Sequence, residues 1–228
     1  MTLYDGNGNA IKTQDALTDK KVLVMGDSIS TDAYGNYKKW VTNLIDDGFL
    51  DAENVTNNSY HATGFVATYS EGGSVVRDNF VNRIKSVSDK SSYDLVVTFG
   101  GINDYIGGID FDTFKTAVDT YFAYLVKNFT QARLCVFTPL RTYNVYKNTA
   151  GHYQTEYADY IREVAKSYCL PILDLTTESG FCPFIDEFRA MWTLTPSGYS
   201  TPDGVHPTAE YSEKYLAPMI ADYLLGIS

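Results

Sequence analysis

Cysteine, histidine and positive charge are all scarce in this sequence. Three cysteines occur in 228 residues: Cys135, Cys169 and Cys182. An odd number cannot all pair with one another, and no two stand in a Cys-x-x-Cys or zinc-like spacing. A small fold stapled by disulfides is excluded; a secreted protein that does without them is not. Lys and Arg number 18 against 28 Asp and Glu, a formal net charge of −10. That balance is ill suited to gripping nucleic-acid phosphates or an anionic membrane surface. No apolar run approaches the roughly 20 residues needed to span a bilayer. Residues 1–9 carry neither the basic stretch nor the apolar core of a signal peptide. The sequence assigns neither compartment nor oligomeric state. Phosphate-cradling patterns such as Gly-x-x-x-x-Gly-Lys-Ser/Thr and Gly-x-Gly-x-x-Gly are missing. Asp and His come together only around 203–206, so neither a metal nor a cofactor is expected.

What is present is ordinary for a folded protein: 44% hydrophobic and 20% charged residues. The length suits one domain. Residues 1–20 read as a leader containing a short hairpin, because Asp5-Gly6-Asn7-Gly8 offers the positive φ that tight turns need. The domain proper is expected over 21–228. From Lys21 onward, short continuous apolar runs alternate with helical patterns. The runs are Val22-Leu23-Val24-Met25, Leu95-Val96-Val97-Thr98-Phe99, Leu134-Cys135-Val136-Phe137 and the shorter Pro171-Ile172-Leu173-Asp174-Leu175. Such runs fit strands buried on both faces. The stretch 55–60 is a further candidate strand, although polar. Helix faces spaced i, i+3, i+4 appear at Tyr37-Trp40-Val41-Leu44-Ile45, Val76-Phe80-Val81-Ile84, Phe114-Val118-Phe122-Leu125-Val126, Tyr157-Tyr160-Ile161-Val164 and Tyr215-Met219-Ile220-Tyr223-Leu224. Alternating strands and helices predict an α/β fold. It would be a three-layer α/β/α sandwich, flavodoxin-like in outline, with about five mostly parallel strands. In such sheets the site lies beyond the carboxyl ends of the strands.

Three small polar clusters fall at such places. Gly26-Asp27-Ser28-Ile29-Ser30 follows the first run, Gly100-Gly101-Ile102-Asn103-Asp104 follows the second, and Asp203-Gly204-Val205-His206-Pro207 precedes the last helical pattern. Together they hold a hydroxyl nucleophile, an amide donor and an Asp–His pair. A lone serine after a strand is ordinarily a turn or cap residue, and a lone histidine before a helix is ordinarily a cap or surface group. Three clusters in this order and context resemble the SGNH hydrolase superfamily, the GDSL-type esterases and lipases, from about Lys21 to the C-terminus.

The resemblance implies a serine esterase that works through an acyl-enzyme. Ser28 would be the nucleophile, His206 the base and later the acid, and Asp203 the group that orients the imidazole. The oxyanion hole would combine the Ser28 backbone N–H, the Asn103 side-chain amide and a backbone N–H after the second strand. For the last, the family spacing counted from Asn57 lands on Ala62. Gly64, two residues on, fits a slightly longer loop and is the preferred candidate, with Ala62 the alternative. His61 lies beside this segment and is a candidate pocket residue, with a surface loop position the alternative. Asp27 and Asp104 read as structural carboxylates. The chain has 19 tyrosines, and aromatics make up 14% of it. Tyr143 and Trp192, in segments expected on the active-site side, could offer faces for sugar stacking, or could simply pack their loops. The expected substrate is a small-molecule or glycan ester, with O-deacetylation of carbohydrate preferred. A lipase or thioesterase of the same superfamily and an inactive glycan-binding module are the rivals.

Overall fold

A computed structural model describes residues 17–227. The hairpin expected within residues 1–20 lies at 3–11, outside the described residues. Strands form at Val22–Gly26 (β1), Val55–Ser59 (β2), Tyr69–Glu71 (β3), Ser74–Arg77 (β4), Leu95–Phe99 (β5), Arg133–Phe137 (β6) and Ile172–Leu173 (β7). Helices form at Trp40–Asp46 (α1), Phe80–Ser86 (α2), Ile102–Ile106 (α3), Phe111–Asn128 (α4), Gln154–Ser167 (α5), Leu175–Glu178 (α6), Asp186–Trp192 (α7), Ala209–Tyr211 (α8) and Ala217–Ile227 (α9). A π-helical turn, Ser212–Leu216, joins α8 to α9.

Five strands make one sheet in the order β2-β1-β5-β6-β7, every neighbouring pair parallel. Counting only these strands, the order is 2-1-3-4-5, that of flavodoxin. All residues of β1 and β5 are buried, which is why they read as unbroken apolar runs. Successive side chains alternate between faces. Val22 and Val24 pack among Trp40, Val41, Leu44, Ile220 and Leu224, under α1 and α9. Leu23 and Met25 pack among Phe80, Phe114, Tyr121, Phe122 and Ile161, under α2, α4 and α5. The sheet is therefore the middle of three layers. Leu17 joins the first cluster and donates its N–H to Phe49 O at 2.9 Å, so the described chain is already docked four residues before Lys21. Among the described residues no helix is long and apolar enough to cross a membrane.

Some elements differ from the sequence pattern, each for a visible reason. β2 is polar because it is an edge strand with Thr56 and Asn57 exposed. Val76 belongs to the antiparallel hairpin β3–β4, not to α2, which begins at Phe80 behind an Asn79 cap. Gly72 and Gly73 turn that hairpin at φ +57° and +81°, a backbone geometry that favours glycine. The fourth apolar run is a strand only at Ile172–Leu173, because Asp174 is already the cap of α6.

Candidate active site

β1 ends at Gly26, where the chain turns so tightly that a Cβ would lie 2.7 Å from both Ser30 and Ser59. The Asp27 carboxylate accepts the Ile29 N–H at 3.0 Å, and Asp27 O accepts the Ser30 N–H at 3.1 Å. This turn holds Ser28 at the carboxyl end of β1, with its Oγ 2.8 Å from His206 Nε2. Burial pushes the Asp27 carboxyl up to about 7.

His206 lies on the loop before α8, tied down by backbone bonds to the end of α7. Leu194 N–H donates to His206 O at 2.8 Å, Asp203 N–H to Leu194 O at 2.8 Å and Thr208 N–H to Trp192 O at 2.9 Å. Asp203 folds back over the two residues that follow its glycine. Its Oδ1 accepts the Val205 and His206 N–H groups at 2.8 and 3.0 Å, and its Oδ2 lies 2.7 Å from His206 Nδ1. The three-residue spacing thus places the carboxylate on both the backbone and the ring of His206. Burial raises the Asp203 carboxyl, but the bonds from the His206 ring and from the two N–H groups outweigh it and hold it below the ordinary carboxylate value. An ionised carboxylate can only accept, so Nδ1 carries the imidazole proton and Nε2 presents its lone pair to the Ser28 hydroxyl.

The other side of Ser28 is built from the ends of β2 and β5, both neighbours of β1. Asn103, in the first turn of α3, donates one Nδ2 hydrogen to Thr63 O at 2.9 Å. Thr63 Oγ1 donates to Tyr60 O at 2.7 Å and accepts from Arg83 Nη2 at 2.9 Å. Ala62 stands in the left-handed region at φ +59°, and its N–H has no hydrogen-bond partner among the described residues; nor has that of Ser28. Gly64, the residue preferred from sequence as the backbone donor, is differently engaged. Its N–H donates to Ala67 O at 2.9 Å. A Cβ there would lie 2.6 Å from Asp104 Cγ, so glycine at 64 serves close packing on that carboxylate. Asp104 accepts the N–H groups of Phe65, Val66 and Ala67 at 2.8, 2.8 and 2.9 Å. Burial still raises it, to about 6. The geometry therefore moves the free backbone donor from Gly64 to Ala62.

A groove of about 740 Å³ opens on Asn103, Asp203 and His206, lined also by Tyr34, Ile106, Tyr143 and Tyr199. A second hollow of about 500 Å³ adjoins it and shares Ile106, Tyr143, Asp203 and Val205. Tyr143 is half exposed in both. His61 sits one ring away: Tyr34 packs on His206 with centroids 4.3 Å apart and faces His61 at 5.9 Å. Burial lowers the His61 imidazole pKa, with the Arg77 charge adding to it. Trp192 does not line the groove. Its ring packs on Tyr211 at 5.7 Å and Tyr215 at 5.3 Å, so its contribution is to anchor the loop that carries His206. Three residues beside the site were not singled out from sequence. Arg83 had a readable sign, an arginine on the apolar stripe Phe80, Arg83, Ile84 of α2. Tyr34 and Lys39 had none, because their partners lie on distant segments.

The family model of the GDSL-like lipase/acylhydrolases matches residues 24–213. Among solved structures the chain resembles a protein from Lactobacillus plantarum, at 20% identity and TM-score 0.69 over 91% of this chain and 95% of that one. It resembles the lipase/acylhydrolase from Enterococcus faecalis at 17% identity and TM-score 0.61, over 91% and 96%. It also resembles phospholipase A1 from Streptomyces albidoflavus at 15% identity and TM-score 0.55, over 90% and 99%. At these identities the likeness speaks for the fold. No match is found among curated proteins. With the family pattern spanning most of its length, the chain belongs to the GDSL-like lipase/acylhydrolase family and is a serine ester hydrolase.

Proposed function

We propose that the chain removes acetyl groups from O-acetylated carbohydrate, with Ser28 as the nucleophile. The observation that carries the catalytic part is the continuous line Asp203–His206–Ser28, with links of 2.7 and 2.8 Å, whose Asp203 and His206 line the groove. As Ser28 Oγ attacks the ester carbonyl, His206 Nε2 takes its proton. The negative charge that develops on the carbonyl oxygen is met by the N–H groups of Ser28 and Ala62 and by the second Nδ2 hydrogen of Asn103. Collapse expels the alcohol, which receives the proton from His206. Water then repeats the attack on the acyl-enzyme, with His206 again as base, and releases the acid. Asp203 holds the tautomer and stabilises the imidazolium throughout.

Support for a sugar ester comes from Tyr143 and Tyr199, 50% and 72% exposed, both on the groove wall. Flat aromatic faces presented to solvent suit stacking against a sugar ring. A second reading, cleavage of longer acyl esters, draws on Ile106. It is 53% exposed where the two hollows meet, and the Enterococcus and Streptomyces relatives carry lipase names. The test is hydrolysis of p-nitrophenyl acetate, butyrate and octanoate by the wild type and by Ser28→Ala. Activity is expected to fall steeply with chain length, and the variant is expected to lose at least ~10³-fold in turnover. Octanoate cleaved much faster than acetate would favour the second reading. Undiminished turnover by Ser28→Ala would remove Ser28 from the mechanism.

A further inference from the structure

Behind His206 lies a lysine whose ammonium meets aromatic rings. Lys39 is 1% exposed, the residue before α1, and its Nζ has no hydrogen-bond partner among the described residues. Lysines are almost never so buried unless paired. In place of a carboxylate, Nζ sits over the Tyr37 ring, 3.1 Å from its centroid, with the Tyr34 ring at 6.0 Å. Both tyrosines lead to the catalytic loop. Tyr37 donates its hydroxyl hydrogen to Pro207 O, next to His206, and Tyr34 packs against the His206 ring itself. The Lys39 backbone N–H donates to Asp32 Oδ1 at 2.7 Å, and Thr42 donates to Asp32 Oδ2 at 2.6 Å, so both oxygens of that carboxylate are engaged by donors other than Nζ.

We propose that Lys39 is a positioning residue for His206: its buried ammonium clamps the Tyr37 and Tyr34 rings and, through them, holds the imidazole against Ser28. The inference rests on the roles proposed above for Ser28 and His206. Attraction between an ammonium and an aromatic face is electrostatic, so the clamp exists only while Lys39 is protonated. The ionisable groups around it pull in opposite directions. Burial dominates and lowers Lys39 to about 7, while Asp32 on its own loop, Asp203 from the loop before α8 and Asp27 after β1 raise it. The neighbouring phenols Tyr34 and Tyr37 are themselves pushed upward by burial and stay neutral. The clamp is therefore held on the acid side of neutrality and released on the alkaline side.

Lys39→Met keeps the length of the side chain and removes the charge. The readout is kcat and KM for p-nitrophenyl acetate from pH 5.5 to 9, with Ser28→Ala as the control for the site. At the acid end the wild type is expected to exceed Lys39→Met about tenfold in kcat, with KM unchanged because Lys39 does not line the groove. By the alkaline end the two are expected to converge, since both then lack the charge. The thermal midpoint of Lys39→Met should equal or exceed that of the wild type, because a buried unpaired ammonium has been removed. A ratio that stays constant across the pH range, or a loss seen in KM rather than kcat, would overturn the proposal and leave Lys39 a packing residue. Should Lys39→Met not fold, Lys39→Arg carries the test. Its permanent charge is expected to abolish the alkaline decline of the wild type, and a decline that persists would overturn the proposal. A Ser28→Ala variant as active as the wild type would overturn the site, and the clamp with it.

Discussion

Asn103 has two amide hydrogens, and the resting structure uses one of them. That one holds Thr63 O at 2.9 Å, which keeps the loop carrying Ala62 beside Ser28; the other is free to meet an oxyanion. Asn103→Ala removes both functions. Turnover is expected to fall by about 10²–10³ with a much smaller change in KM, as when one preorganised donor is lost from such a site. Steady-state kinetics on p-nitrophenyl acetate decide the matter, and a loss confined to KM would mean that Asn103 binds ground state and transition state alike. The residues most readable from sequence were those whose job is set by their immediate neighbours. Ser28 follows a strand-ending glycine, and the Asp203–His206 spacing makes its own turn. The family spacing pointed to Ala62 and the residue type to Gly64; the difference between them lies in which N–H the loop consumes internally. For Trp192 the sequence left sugar stacking and loop packing both open, because nothing near it in sequence showed that Tyr211 and Tyr215 pack on its ring.

Among the elements, α2 matters beyond its place in a helical layer. Arg83 projects from its buried face into the gap between the ends of β1 and β2. Its Nη2 donates to Gly26 O at 3.1 Å and to Thr63 Oγ1 at 2.9 Å, and its Nη1 donates to Asn58 O. One planar fork thus ties together the two strand ends and the loop that carries Ala62. Burial lowers the Arg83 pKa, to about 10, so it keeps its charge near neutrality. Lysine has the charge without the fork. Arg83→Lys is expected to cost about 1–3 kcal/mol in urea unfolding, because buried acceptors lose their donor. It is also expected to lower kcat several-fold through the loosened loop. An unchanged denaturation midpoint would mean that water replaces the fork at no cost. The strands buried on both faces, β1, β5 and β6, were legible because burial leaves no room for polar residues. β2 was hard to read for the opposite reason: an edge strand is specified by its partner's backbone more than by its own side chains. The β3–β4 hairpin went unread because Val76 sits four residues before Phe80 and so mimics one more helical turn.

For the molecule as a whole, the acidic balance conceals two carboxyls placed where water does not reach. Asp27 and Asp104 are buried at the sheet's carboxyl edge, and the Asp104 charge raises Asp27 further. Burial sets Asp27 at about 7 and Asp104 at about 6, against an ordinary value of 3.8. Both are displaced upward, so between about pH 4 and 7 the unfolded chain has released protons that the folded chain still holds. Stability from these two groups is then greatest at the acid side of that window and declines as pH rises through it. For Asp27 alone, a displacement from 3.8 to about 7 corresponds to at most ~4 kcal/mol. Asp27→Asn retains an oxygen for the Ile29 N–H and cannot ionise. Near pH 4, where wild-type Asp27 is protonated in the fold, the variant and the wild type should melt at similar temperatures. Toward pH 7 the variant should gain on the wild type by several degrees, and the gap should stop widening above that. Thermal denaturation at half-unit steps from pH 4 to 8 measures this gap directly. A gap independent of pH would show that Asp27 is ionised throughout, held as an anion by the Ile29 N–H that donates to it and by the Arg83 charge.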